Sequence, residues 1–500
     1  MNHSVHPRSA AISRIIWAAC AILAACALAG VLEPVVSLFR YIPRDYNEGW
    51  NAYWADVAWH GGQLYPPIDS SVANNYPPVS FYVVGALGHL FGDSIFAGRM
   101  VAIVSLSVVA VNIGLWLRIC RIERSIAVFA ATLFVTAFVE YAPVYVALDD
   151  PQLLAHAMIL TATTILWRFN FTQWALVIAS VLMVLGGMTK HLLIPLPIAV
   201  TVWIAIYRKE RLGAWLLTSL TTLTVAAALV WLLFGSPFIH DLRSARVYSK
   251  LSARKHSIEY LGAMSLVLIA AAPAVLALTS RFSSQGLRQN ALLIMIYAVI
   301  GTLIGVLAAG GAGVDRNAFF DLLIPACLAI GVTLEYLRSR PAILFVRGSG
   351  VRGSGNPVLM AIVAISLTAQ YATQAADRWP ENWRLVKQVD LREAQALDDI
   401  RAIRAVGHDA AACEMVALCY WAGSAFTVDL FNYGQKLRTG AVQVASCPNV
   451  FLRGPVHLLQ LDSPRPDLLT FRLPRSCNDL IARNYGPTRV SPYGTLMWRR

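Results

Sequence analysis

Residues 44–67 read R-D-Y-N-E-G-W-N-A-Y-W-A-D-V-A-W-H-G-G-Q-L-Y-P-P, and N-N-Y-P-P follows at 74–78. The stretch is too polar to cross a bilayer, yet five aromatic residues lie between Tyr46 and Trp59. Such rings settle at the headgroup level, so the segment belongs at the edge of a membrane. The apolar run 15–32 precedes it and is long enough to span, which sets Asp45 and Glu48 just past a first crossing. Two readings follow: an amphipathic connector resting on the interface, or an outer loop that carries the chemistry.

Working outward, the 500 residues are 57% hydrophobic and only 14% charged, with a mean hydropathy of +0.57. That balance excludes an ordinary soluble domain and implies a mainly α, polytopic helical membrane protein. The net charge of +13 is spread in short basic clusters between apolar runs, the pattern of positive-inside orientation, and this argues against nucleic acid as a partner. Arg8 and Arg14 precede the first span. Although A-L-A-G near Ala27 resembles a signal cleavage site, the topology works with that span kept as an anchor.

Apolar runs at 100–117, 126–148, 153–167, 174–188, 192–207, 216–234, 261–278, 292–309, 319–337 and 358–373 bring the expected spans to about eleven. The run 79–91 is too short to span and reads as an interfacial helix after Pro77-Pro78. A polar loop is expected from 235 to 257, and the repeat V-R-G-S-G-V-R-G-S-G, flanked by Arg338 and Arg340, reads as a flexible cytoplasmic linker. The chain then divides into a membrane domain, 1–373, with a first outer loop at 37–99, and an extracytoplasmic domain, 374–500. This topology puts the N-terminus in the cytoplasm of a bacterial cell and the tail outside its inner membrane. It also lands Asp45, Glu48, Asp149, Asp150 and Asp315 on the outer face, although it was set by basic residues alone.

The tail is a different material. Leu397, Ile400 and Ile403 recur at helical spacing up to Gly407, V-H-L-L-Q-L at 456–461 suits a buried strand, and 477–482 another short helix, giving a small α/β domain. Four of the eight cysteines, Cys413, Cys419, Cys447 and Cys477, fall there, and outside the cytoplasm they can form two disulfides in any of three pairings. The C-x5-C spacing is not a usual zinc pattern. The other four lie in or beside apolar runs and read as small buried hydrophobes.

Glu48 is the expected base, placed where a carboxylate meets an acceptor from water and a donor from the bilayer, with its pKa tuned by Tyr46, Trp50 and Tyr53. Asp45, one turn away on a helix, would assist it or hold a divalent metal ion with it. Asp149 and Asp150 precede Pro151 and read either as acids at a helix start or as site residues. Glu140, inside a span, calls for a partner such as Arg99 or Lys190. Arg243, Arg246, Lys250 and Arg254 fall on one face if helical, which suits a donor phosphate or, equally, anionic lipid headgroups, and Lys190 and Arg316 would join the phosphate.

These residues together resemble the GT-C class of membrane glycosyltransferases, which includes protein O-mannosyltransferases and aminoarabinose lipid A transferases. N-E-G-W-N-A-Y with Asn47, G-G-Q-L-Y-P, N-Y-P-P with Tyr76, and G-R-M with Arg99 are similar to that group's first outer loop. D-D-P at 149–151, M-T-K at 188–190, and D-R-N-A-F-F-D-L with Asn317 and Asp321 are similar to later motifs, and the tail looks like an outer domain appended in one subgroup. The resemblance implies transfer of a hexose or pentose from a polyprenyl-phosphate donor to an acceptor outside the membrane, with inversion. It also implies an Asp-Glu pair in the first loop, whereas this chain has Asn47-Glu48. An amide cannot be a base, so Glu48 or Asp45 takes that role, or the chain transfers nothing. A flippase of lipid-linked sugars, or a non-catalytic protein whose tail binds a partner, are the readings from other classes.

Overall fold

The computed structural model describes residues 7–244, 246–280, 283–339, 356–462 and 472–500. The basic repeat with Arg340, Arg347 and Arg352 lies outside the described residues. Helix α1 (Pro7–Val36) is the first apolar rod, and the loop stretch that follows folds into α2 (Tyr46–Trp59). Asp45 caps α2 by accepting the Asn47 N–H, and Glu48 reaches back to the Arg44 N–H, a variant of the reciprocal capping box. Helix α3 (Val79–Phe91) has the bounds that Pro77-Pro78 and Gly92 dictate, and Gly92 takes the left-handed conformation that ends it.

Helices α4 (Ser94–Ile119) and α5 (Arg124–Tyr141) follow. The span expected over 126–148 stops at Tyr141, because Pro143 diverts the chain into a 3-10 turn, Pro143–Ala147. Next come α6 (Gln152–Arg168), α7 (Gln173–Gly187), α8 (Pro195–Tyr207) and α9 (Lys209–Leu242). The loop expected from 235 is helical as far as Leu242: Gly235, at φ +60, kinks α9, and the helix resumes through Pro237. The resumed turn is held because Phe234 and Phe238 pack edge-on against Tyr65, and Asp241 accepts the Asn74 N–H.

Helices α10 (Lys250–Ala263), α11 (Ser265–Ala271) and α12 (Leu276–Thr279) lead to α13 (Gln285–Ala308), α14 (Phe320–Ser339) and α15 (Pro357–Lys387). Among the described residues, seven helices are long and apolar enough to cross a membrane, eight if the bent pair 250–263 and 265–279 counts as one. The other expected spans are the shorter α6, α7 and α8, so each of the eleven runs does contain a helix. The chain is a multi-pass membrane protein. Its main core is a continuous apolar cluster running through α4, α5, α6, α13 and α14, with α1 and α15 against it.

Helix α15 runs unbroken past residue 373 to Lys387, where α16 (Val389–Arg404) begins. Strand β1 (Ala411–Cys413) and helices α17 (Val416–Trp421) and α18 (Leu430–Thr439) follow, then β2 (Leu458–Leu461), α19 (Arg475–Asn484), β3 (Tyr485–Ser491) and β4 (Gly494–Arg499). The sheet order is β1-β2-β4-β3, with β1 parallel to β2 and the other pairs antiparallel. Ala411 stands opposite Leu458, and Leu459 opposite Met497. Disulfides join Cys413 to Cys419 and Cys447 to Cys477, which selects one of the three pairings.

The tail is not an appendage on a string. Ala52 and Ile95 of the membrane domain share one core with Ile400, Ile403 and Leu418. Gly49 makes this possible, since a Cβ there would lie 2.1 Å from the Ala417 backbone nitrogen.

Candidate functional site

The first-loop acid expected to be the base is the most enclosed side chain of the region. Glu48 has no exposed surface, and its partner Arg99 has none either. Arg99 Nε donates to Glu48 Oε2 at 2.9 Å and Nη2 to Oε1 at 2.9 Å, while Oε1 also accepts the Arg44 N–H at 2.7 Å. The remaining Arg99 donors go to the carbonyls of Ser37, Leu38, Arg40 and Ile42, so the pair clamps the turn between α1 and α2. A base needs a free lone pair and access to its acceptor. Glu48 lacks that access, being fully buried with its oxygens held by Arg99 and the Arg44 N–H. Its geometry fits a positioning residue.

Asp45 is differently placed. One oxygen caps α2, and the side chain is half-buried beside the polar end of the bundle. Burial, reinforced by Glu48 and Asp150 and opposed by the Asn47 N–H and Arg472, pushes its pKa up to about 6. That is the working range of a general base at neutral pH. Asn47 donates its backbone N–H to Asp45 and accepts Asn51 Nδ2 on its carbonyl at 2.9 Å, a role that either Asn or Asp could fill.

Around Asp45 the structure gathers groups from four parts of the chain. Asp150 caps the first turn of α6 through Oδ1, on the Gln152 N–H at 2.8 Å, and its other oxygen is buried without a partner. The helix-start reading of Asp150 accounts for one oxygen only. Lys190 stands with its Nζ 3.7 Å from the centre of the Tyr76 ring. Burial alone would lower the Lys190 pKa, but Asp150 and Tyr76 outweigh it and keep the ammonium charged. Arg246 lies 5.0 Å over Phe431, Arg472 lies 4.8 Å over Tyr46, and those two rings touch at 5.6 Å. Asp45 thus has Asp150 and Arg472 as charged neighbours, and Lys190 has Asp150 and Arg246, beside the Tyr46 and Phe431 rings, an arrangement that can take a proton beside a bound phosphate.

Asp149 turns the other way. It is buried against α4, where a Cβ on Gly98 would lie 2.0 Å from its Cγ, and its carbonyl accepts Asn51 Nδ2 at 2.6 Å. Burial first, then Glu48 and Asp150, push its pKa well above the ordinary carboxylate value. Arg316 donates to the Tyr141 carbonyl at 2.6 Å, beside Asp315, which accepts from Tyr260. Asn317 accepts Gln152 Nε2 on its carbonyl, and one turn on, Asp321 accepts from Tyr297 inside the bundle with His156 at 3.8 Å. These contacts tie the ends of α5 and α6, with α10 and α13, to the start of α14 and the turn before it.

Two expectations need correction. Arg243, Arg246, Lys250 and Arg254 do not share a helical face, because α9 ends at Leu242 and Ser249 caps a new helix that starts at Lys250. Only Arg246 turns inward, donating to Ala312 O and Asn432 Oδ1, while Arg243, Lys250 and Arg254 are exposed. Glu140 pairs with neither Arg99 nor Lys190 but with Arg378 at 3.2 Å, since α15 continues past the expected end of its span. Among the described residues no three His, Cys, Asp or Glu side chains are grouped to hold a metal ion.

The sequence reading missed the tail's contribution. Asp429, fully buried, accepts from Tyr46 Oη at 2.7 Å, Trp50 Nε1 at 3.0 Å, and the Asn432 backbone and side chain at 2.9 and 2.6 Å. Arg472 is held over Tyr46 by Glu414 and Asp462. The available signal was an acid at the start of an amphipathic helix, which reads locally as no more than a cap.

No protein-family model matches the sequence, and no curated protein sequence matches it. In three dimensions it is similar to the crystal structure of ArnT from Cupriavidus metallidurans in the apo state, with a TM-score of 0.59 and 13% identity over 93% of this chain and 96% of that one. The chain folds like ArnT. The same protein bound to undecaprenyl phosphate matches with a TM-score of 0.56 and 13% identity, covering 94% and 96% of the two chains. The ArnT-like fold is a polytopic helical bundle with a small C-terminal α/β domain, the architecture expected from the sequence. Within this ArnT-like frame, the first loop, the Asp149-Asp150 turn, Lys190 and the tail meet at one end of the bundle.

Proposed function

We propose that the chain is a membrane glycosyltransferase that moves a sugar from a polyprenyl-phosphate donor to an acceptor at the outer face of a bacterial cytoplasmic membrane. The observation that carries this reading is Asp45, a carboxyl pushed up to about 6 with Asp150 and Arg472 as charged neighbours, in a cluster that Asp150 extends to Lys190 and Lys190 to Arg246, at one end of an ArnT-like bundle. An ArnT structure holding undecaprenyl phosphate supports a lipid-phosphate donor. Two disulfides in the tail support its placement outside the cytoplasm.

In this mechanism Asp45 takes the proton of an acceptor hydroxyl as its oxygen attacks the anomeric carbon. The bond from that carbon to the phosphate oxygen breaks, and the electron pair leaves on the phosphate. Lys190, Arg246 and Arg472 stabilise the charge that develops there, the kind of preorganised electrostatics worth orders of magnitude in rate. Attack opposite the leaving group inverts the anomeric centre. Glu48 and Arg99 hold the loop that aims Asp45.

The test is release or transfer of sugar from a radiolabelled polyprenyl-phosphate donor by the purified full-length chain in nanodiscs. Turnover that disappears in Asp45→Asn supports the proposal. A donor that crosses the bilayer intact, with no sugar released, would make the chain a flippase instead.

A further inference from the structure

We propose that α10 and the turn before it form a binding surface for anionic phospholipid headgroups, separate from the polar cluster beside Asp45. Its position comes first. The long apolar α9 ends at Leu242, and α10 is bent by 68° from the apolar segment 265–279 that follows it. The turn between α9 and α10 is pinned to the end of α13: Ser249 N–H donates to Gly310 O at 2.9 Å, Ala312 N–H to Val247 O at 2.9 Å, and His256 bonds Ala309 O at 3.1 Å. The surface is thus fixed at the level where two membrane helices end, and a sharp bend leaves α10 free to lie along the boundary.

The faces of α10 give the chemistry. Ala253, Ser257 and Tyr260 are buried, at helical spacing, against the bundle. The opposite stripe is Leu251, Arg254, Lys255 and Ile258, at spacings of three, four and seven, with Leu251 76% and Ile258 63% exposed. Water alone does not suit that stripe, because two large apolar side chains stand in the open between two cations. A headgroup layer suits both, since acyl chains and phosphates lie within a few ångströms of each other and long basic side chains reach from one to the other. Arg243 and Lys250 extend the cationic edge, and among the described residues none of these four basic side chains has an ion-pair partner. Glu259 is the one acid on α10. Net positive charge therefore remains to attract an anionic surface, on the order of five-fold in affinity per basic residue.

This surface does not depend on the transferase reading. The experiment is native mass spectrometry of the full-length chain released from micelles doped with equal phosphatidylglycerol and phosphatidylcholine. The wild-type chain should retain phosphatidylglycerol at least ten-fold over phosphatidylcholine. The variant Arg243→Gln, Lys250→Gln, Arg254→Gln, Lys255→Gln should lose most of that preference, while a control losing Arg453, Arg475, Arg483 and Arg500 to Gln keeps it. Added inorganic phosphate should leave the preference intact, which marks a lipid surface and not a free-phosphate site. Equal retention of both lipids by the wild type, an unaltered preference in the α10 variant, or the same loss in the tail control would overturn the proposal.

Discussion

The Arg99 guanidinium grips the Glu48 carboxylate side-on, Nε to Oε2 and Nη2 to Oε1, both at 2.9 Å, with neither side chain exposed. Removing one partner of such a pair leaves an uncompensated buried charge, which costs ~3–5 kcal/mol. Glu48→Gln should therefore lower the yield of folded protein and its melting temperature in detergent. Arg99→Lys should do the same, because a point charge cannot reproduce the five-donor fork. A Glu48→Gln chain that melts like the wild type yet transfers no sugar would return Glu48 to the role of base.

Asp45→Asn is the complementary case. Asparagine caps a helix as well as aspartate does, so α2 should persist, and the rate of transfer should fall by about 10²–10⁴-fold. In the wild type, a base whose pKa sits at about 6 gives an acid limb there, with the rate falling as pH drops below it. The sign for stability is opposite. A carboxyl raised from 3.8 to about 6 on folding contributes stability below pH 3.8 that is lost as pH rises through 6. Asp45→Asn should thus melt higher than the wild type at pH 7.5, with the difference closing toward pH 4. A variant less stable at pH 7.5 and unchanged in rate would show that Asp45 is only a cap.

Part of this was legible in the sequence. The short apolar run after Pro77-Pro78 marked α3, and the apolar spacing of Leu397, Ile400 and Ile403 marked α16. The topology read from the basic clusters put Asp45 and Asp150 on one face, and the structure makes them neighbours. What stayed hidden is set by contacts between distant residues. Glu48 looked like a base because its partner Arg99 is 51 residues away, and the role of Asp429 has no local mark because Tyr46 and Trp50 are 383 and 379 residues away. The split of the 243–255 cluster was hidden for another reason: a periodic run of basic residues carries no mark of where one helix stops and the next begins.

The junction between tail and first loop gives a third prediction. Gly49 touches the backbone of α17, so the added methyl of Gly49→Ala meets Ala417 N and the Val416 carbonyl carbon with no flexible side chain to yield. Asp429→Leu strands four donors, from Tyr46, Trp50 and Asn432, in a buried site, at about 1–3 kcal/mol each when unpaired. Both variants should loosen the tail and speed its cleavage by trypsin, while the helical bundle keeps its circular dichroism. Since Arg472 reaches Tyr46 only when the tail is docked, donor binding should weaken in parallel. Wild-type cleavage rates in both variants would mean that the interface does not hold the tail.

The cysteines make the last prediction, and it bears on which side of the membrane the tail occupies. Cys20, Cys26, Cys120 and Cys327 are free, and the four tail cysteines are paired. Protein denatured without reductant should accept four alkyl groups, and eight after reduction. The two bridges should not be equal in worth. Cys413–Cys419 closes a sequence separation of 6 and Cys447–Cys477 one of 30, so loop entropy assigns them roughly 2 and roughly 4 kcal/mol. The Cys447→Ser, Cys477→Ser double variant should therefore destabilise the tail more than the Cys413→Ser, Cys419→Ser pair, seen as earlier proteolysis on heating. Disulfides persist on the oxidising side of a membrane, so eight reactive thiols without reductant would remove both the pairing and the ground for placing the tail outside.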